Sequence, residues 1–238
     1  MHKSGTTLIG RTLHESGIYM GDFPAGEQYA RCKYENESAV EINKSLLNAK
    51  NLHSTRTVGP LNAIEEMEPE IAEFVERMNR RHVPWGVKDP RLCLTYDVWC
   101  RFLPAHKVIF IFRSPERVLE HYTRGPTKTR MRMMIKDGWP ALRAWYLYNI
   151  RAYQMIKNRA ASSIVIDFEE YLTTGHSHIA LERFLGTTLK DVRSHGCQTD
   201  SPVLFTRMPV NIVSWLTKTN VVRLQAQLVE CSRRRLSG

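Results

Sequence analysis

Lys107-Val108-Ile109-Phe110-Ile111-Phe112-Arg113-Ser114-Pro115 reads as a strand running straight into a helix. Past Lys107 the run is apolar without a break, and every residue is β-branched or aromatic. That is the pattern of a short strand buried on both faces, as in a parallel sheet. Arg113 ends the run, and Pro115 suits the first turn of a helix carrying Val118, Leu119 and Tyr122. A second run of the same kind, Ser163-Ile164-Val165-Ile166-Asp167, lies downstream. Between the two, Leu142, Trp145, Asn149, Tyr153 and Ile156 recur at helical spacing and predict the longest helix, over 139–159. Two buried strands joined by a helical crossover imply an α/β fold, a parallel sheet flanked by helices.

Working outward, residues 6–16 predict a helix closed by Gly17. Gly21, Pro24 and Gly26 mark 18–34 as a loop, and Val40, Asn43, Lys44 and Leu47 share one helical face. Ile71, Phe74, Val75 and Met78 predict a further helix starting near Glu68-Pro69. Residues 85–88 read as a short strand and 94–103 as a helix closed by Pro104. A helix over 179–185 ends at Gly186, and a last one covers 221–231, followed by a basic tail at Arg233-Arg234-Arg235. His176 and His178, beside Gly175, predict a surface turn. With no repeat, low-complexity tract or linker, residues 1–238 are expected to form a single domain.

A net charge of +10 favours anionic ligands, whether nucleic acid, membrane surface or a phosphorylated small molecule. The excess is densest between Tyr122 and Gly138, where Arg124, Lys128, Arg130, Arg132 and Lys136 face one Asp137. This is either a solvated loop or a lid over an anion. The five cysteines are scattered and never spaced C-x-x-C, which predicts reduced thiols in a cytoplasm and no zinc site. No apolar run approaches the roughly 18 residues of a membrane span, and no secretory leader is expected.

At the other end, Met1-His2-Lys3-Ser4-Gly5-Thr6-Thr7 runs directly into the first helix. A glycine among small hydroxyl residues at a helix start presents backbone N–H groups and a positive dipole end to an anion. The same residues also suit an ordinary helix cap. The ATP/GTP loop pattern, with its lysine after the second glycine, is absent.

Taken in order, five stretches resemble the sulfotransferases that use 3′-phosphoadenosine 5′-phosphosulfate (PAPS). They are His2–Thr7; Tyr34-Glu35-Asn36 with the helix after it; Trp85-Gly86-Val87-Lys88-Asp89-Pro90-Arg91; Lys107–Pro115; and Ile164–Leu172. The resemblance covers roughly residues 1–190 and implies a P-loop-NTPase-like sulfotransferase fold. It implies that Lys3, Ser4, Gly5, Thr6 and Thr7 hold the 5′-phosphosulfate, with Lys3 neutralising the bridging oxygen. Lys88 is then expected to point at the sulfuryl group; a salt bridge with Asp89 is the equally open alternative. Arg113 is expected on the 3′-phosphate. The residue eight positions later, usually serine in the family, is here His121, a donor of a different kind. Glu35 is the expected general base, with Glu27 and His53 as alternatives.

A phosphate loop of this kind follows a buried central strand. The sequence begins inside the loop, so truncation ahead of it is expected. The reading needs no metal. It implies PAPS as co-substrate and a hydroxyl acceptor that is a small molecule, carbohydrate or lipid, with no nucleic-acid partner and no membrane span. Two other classes compete. A nucleotide-dependent kinase is disfavoured by the missing ATP-loop pattern. A non-enzymatic polyanion or nucleic-acid binder is disfavoured because Trp139, Trp145, Tyr146 and Tyr153 fall on helical rather than strand-platform spacing.

Overall fold

Val108–Phe112 forms strand β1 and Ser163–Asp167 forms strand β2, paired in parallel from Val108↔Ser163 to Phe112↔Asp167. The computed structural model describes residues 4–23, 33–48, 61, 64–123, 132–193, 210 and 220–236. Among these the α-helices are α1 (Thr6–Glu15), α2 (Glu37–Leu46), α3 (Ile64–Asn79), α4 (Leu92–Trp99), α5 (Pro115–Tyr122), α6 (Trp139–Asn158), α7 (Phe168–Thr173), α8 (His176–Leu185) and α9 (Val221–Leu236). A π-helical turn over Met134–Gly138 leads into α6, so the end of the basic segment is helical rather than a loop. The fold is α/β and mostly helical, with a two-stranded parallel sheet flanked by helices. No helix among the described residues is long and apolar enough to cross a membrane.

The side-chain period of two divides the strands between two cores. Ile109, Ile111, Ile164 and Ile166 face α1, α7 and α8, packing with Ile9, Leu13, Tyr171 and Leu181. Phe110, Phe112 and Val165 face α5, α6 and α9, packing with Leu119, Trp145, Tyr148 and Leu224. A third apolar cluster joins α2, α3 and α4 through Ile42, Leu46, Phe74 and Trp99.

Several boundaries differ from the sequence expectations. Residues 85–88 do not form a strand: Tyr19 and Trp85 make one isolated parallel bridge, with Tyr19 N–H on Pro84 O at 2.8 Å and Gly86 N–H on Tyr19 O at 3.0 Å. Pro84 has no N–H to extend the ladder, and Gly21, at φ 141°, turns the partner segment away. Helix α3 starts at Ile64 and carries Pro69 inside it, with Glu65 and Glu66 in the first turn, where the dipole favours acids. Helix α4 stops at Trp99, short of Pro104. The expected basic tail is helical: α9 runs on to Leu236, and Arg234 pairs with Glu230 one turn back.

His178 is not on a surface turn. Helix α8 begins at His176, which puts His178 on the inner face, three residues before Leu181. It is buried, with Nδ1 at 3.2 Å from the Tyr171 hydroxyl, which in turn lies 3.2 Å from Thr12 Oγ1. This chain ties α1 to α7 and α8.

Asp167 ends β2 and caps α7, its Oδ1 accepting the Glu169 N–H at 3.0 Å. Burial, then the neighbouring Glu169, pushes its carboxyl up to about 6. An ordinary aspartate titrates near 3.9. Between about pH 4 and 6, therefore, the folded chain holds a proton that the unfolded chain has lost, and this group's contribution to stability falls as pH rises. Asp167→Asn keeps the cap and removes the ionisation. In urea melts, the stability of the variant relative to wild type should be greater at pH 7 than at pH 4. A difference that does not change with pH would show that the Asp167 carboxyl is not perturbed.

Candidate active site

The helix α1 opens at Gly5, which adopts the left-handed conformation (φ 83°) as its N-cap. No acidic residue occupies the first turn, so its own carboxylates do not offset the positive end of the dipole. Ser4, just before it, is fully buried, and its hydroxyl has no hydrogen-bond partner. Five residues on, Gly10 allows a second segment to lie against the helix. A Cβ there would stand 3.0 Å from Tyr34 Cβ and 3.8 Å from Lys88 Cγ. The missing side chain thus brings both Glu35, the next residue after Tyr34, and Lys88 to the start of α1.

There Lys88 Nζ donates to Glu35 Oε1 at 2.6 Å and to Lys33 O at 2.9 Å, and stands 3.5 Å from Thr7 Oγ1. The two side chains are only 10% and 14% exposed, so the pair is largely desolvated. Burial lowers the Lys88 amine below its ordinary value, and the Glu35 carboxylate pulls the other way. Asp89 is not the partner of Lys88. It turns to the opposite side, as consecutive residues of an extended segment do. It accepts from Asn43 Nδ2 at 3.0 Å, from the Arg91 N–H at 2.8 Å and from Arg91 Nη1 at 3.1 Å. Asn43 Oδ1 in turn accepts from Thr95 Oγ1 at 2.7 Å and Trp99 Nε1 at 2.8 Å. Burial raises the Asp89 carboxyl, against the pull of Arg91. This network clamps the segment carrying Lys88 onto α2 and α4.

The second cationic position follows from strand register. Because Phe112 pairs with Asp167, Arg113 and Phe168 leave the sheet side by side at its carboxyl edge, where open α/β sheets place ligands. Arg113 Nε donates to Glu169 Oε1 at 2.8 Å, and the Ser114 N–H lies 3.4 Å from Glu169 Oε2. Trp145 Nε1 donates to Arg113 O at 2.8 Å and holds the backbone there. The Arg113 guanidinium lies 5.5 Å from the centre of the Phe168 ring. That ring also lies against Gly5, where a Cβ would come within 2.1 Å of it. One aromatic side chain therefore touches both the start of α1 and Arg113.

Of the residues expected at the site, the structure gathers Thr7, Lys88 and Glu35 into one cluster and joins Gly5 to Arg113 through Phe168. His121 is exposed at the opposite end of α5 from Arg113, its ring edge-on to Tyr122 at 5.4 Å. Lys3, Glu27 and His53 lie outside the described residues, as do 124–131 in the basic segment. Sequence reasoning gave no role to Phe168, Glu169 or Asn43. The signal for the first two was present: two parallel runs of five end at the same level, so the residues just past each end are neighbours.

Comparison with protein-family models, with curated proteins and with solved structures gave no match to this chain.

Gly5→Ala should destabilise the fold by two routes. A left-handed non-glycine residue costs about 1–2 kcal/mol, and the new Cβ would also meet the Phe168 ring. Combining Gly5→Ala with Phe168→Ala relieves the second term only. Denaturant melts should therefore give the double variant less destabilisation than the sum of the two single ones. Simple additivity would mean that the ring does not press on Gly5.

Proposed function

We propose that the chain is a PAPS-dependent sulfotransferase of P-loop-like fold, transferring a sulfuryl group to the hydroxyl of an acceptor. The observation that carries this reading is the largely desolvated Lys88–Glu35 pair at the N-terminus of α1, whose first turn has no acidic residue of its own, with Thr7 beside it. A desolvated ammonium beside a helix start suits a group that bears negative charge and gains more as a bond breaks. The donor set fits a phosphosulfate: the backbone N–H groups of the first turn of α1, the Ser4 hydroxyl, buried with no hydrogen-bond partner, and Lys88. Arg113, on the other side of Phe168, suits the 3′-phosphate. Lys3 and His121 keep the roles that the family resemblance gives them, on the bridging oxygen and the 3′-phosphate.

Sulfuryl transfer is mainly positioning and charge stabilisation around an in-line displacement. The bond from sulfur to the bridging phosphate oxygen breaks as one forms to the acceptor oxygen. The acceptor's proton goes to Glu35. Lys88 engages Oε1, which leaves Oε2 to take that proton. As the sulfuryl group draws on Lys88, its hold on Glu35 weakens and the carboxylate is freed toward the acceptor hydroxyl. The acceptor belongs to the hydroxyl compounds at large: sugar, lipid, polyketide or peptide.

In thermal melts, PAP (the desulfated product) should raise the melting temperature, while ATP with magnesium and an oligonucleotide should not. A response to ATP-magnesium alone would favour a kinase, and a response to the oligonucleotide a polyanion binder. Arg113→Ala should weaken PAP binding but leave that of AMP, which lacks the 3′-phosphate, nearly unchanged. One charge-assisted contact of this kind is worth about 1.5–3 kcal/mol. Calorimetric titration reads the difference, and equal losses for both ligands would remove Arg113 from the 3′ side.

Glu35→Gln should bind PAP nearly as well as wild type and transfer sulfate more slowly by roughly 10²–10⁴. Single-turnover assays across a panel of hydroxyl acceptors, with labelled donor, check it. Near-normal transfer by Glu35→Gln, with His53→Asn inactive, would make histidine the base.

A further inference from the structure

The carboxylate on Arg113 is the least expected group in the molecule, given what Arg113 is proposed to bind. Glu169 spans two donors at once: Oε1 takes the Arg113 Nε–H, and Oε2 faces the Ser114 N–H at the start of α5. A guanidinium beside a helix-terminal N–H is the donor pair that a phosphate oxygen would take. A carboxylate that only oriented the arginine would sit behind it and leave the helix N–H free. Here the chain's own anion covers both. The side chain of Ser114 is committed elsewhere, capping α5 by accepting the Arg117 N–H at 3.3 Å. The Nη groups of Arg113 make no hydrogen bond among the described residues, and its Nε alone is taken by Glu169.

The pair is also placed to open. Arg113 and Glu169 are 27% and 31% exposed, against 10% and 14% for Lys88 and Glu35, so water reaches both partners. The contact to the Ser114 N–H, at 3.4 Å, is long. The backbone of Glu169 is held independently of its side chain, because its N–H is capped by Asp167. The carboxylate can therefore swing away without unwinding α7.

We infer that Glu169 is the resident counter-anion of Arg113 and sets the selectivity of this position, opposing any anion that does not displace it from the Arg113–Ser114 seat. The inference rests on the reading of Arg113 as a 3′-phosphate ligand. A singly charged or weakly held anion gains too little from Arg113 to expel Glu169. A phosphate dianion tethered through the rest of the nucleotide gains enough. Glu169 thus weakens the binding of every anion that must displace it by a similar factor, which leaves a tethered 3′-phosphate bound while small anions from the solvent fall below the threshold for occupancy.

The test is calorimetric titration of wild type, Glu169→Gln, Glu169→Ala and Arg113→Ala with PAP, AMP and inorganic sulfate, after melts have checked that each variant folds. Removing a partly exposed competing carboxylate should tighten PAP binding by roughly two- to tenfold in both Glu169 variants. AMP binding should stay within about twofold of wild type on the same scale. Sulfate binding should strengthen along with that of PAP, and Arg113→Ala should abolish the gain. Weaker PAP binding by Glu169→Gln, with Arg113→Ala still costing affinity for PAP but not for AMP, would make Glu169 a brace. That result would overturn this inference and leave the sulfotransferase reading standing. Failure of wild type and both Glu169 variants to bind PAP would overturn both together.

Discussion

Parallel pairing of β1 with β2 is the constraint on which the other elements hang. Each strand is five residues long, and each is covered on both sides. The pairing leaves isoleucines on one face and two phenylalanines with Val165 on the other. Each such side chain taken out of water contributes about 1.5–3 kcal/mol, which two short strands need, since a bare pair is only marginally stable. The isoleucine face receives α1, and with it Gly5 and Thr7. The opposite face receives α5 and α6, and with them Ser114 and Trp145. The ladder thus brings the start of one helix and the start of another to the same carboxyl edge.

Charge is arranged locally against the overall excess. The chain carries +10, yet Lys88 and Arg113 are each matched by a carboxylate of the same chain. Taking an ion pair out of water is costly, and a buried pair is weak evidence of stability in itself. The Lys88–Glu35 pair is tolerated because Lys33 O and Thr7 supply further oxygens around the ammonium. Asp89 is tolerated because Asn43 and Arg91 satisfy it, and Asn43 is itself satisfied by Thr95 and Trp99. Adjacent residues 88 and 89 thereby face two ways, one toward Glu35 and Thr7 and one toward the supporting helices.

Phe168 links the start of α1 to Arg113. It packs with Ile166 and Tyr171 in the core, yet its ring reaches both Gly5 and the Arg113 guanidinium. A side chain longer than glycine at position 5 would separate them.

The sequence by itself determined the elements whose signal is local. Val108–Phe112 and Ser163–Asp167 are uninterrupted apolar runs, 139–158 repeats at helical spacing, and Pro115 and Gly186 punctuate helix ends where structure shows them. The candidate donors at the start of α1 and after β1 were legible for the same reason: they sit beside those signals. What pairs with what was decided only in three dimensions. Lys88 takes Glu35, 53 residues away, rather than Asp89 next to it, because the close approach at Gly10 brings Tyr34 and Glu35 onto α1. Arg113 takes Glu169, 56 residues away, because of strand register. His178 turns inward because α8 starts earlier than its apolar period shows, and 85–88 stays a single bridge because Pro84 and Gly21 deny it a partner. Periodicity is written within a few neighbouring residues. Desolvated charges choose their partners by the geometry of distant segments, which no local spacing records.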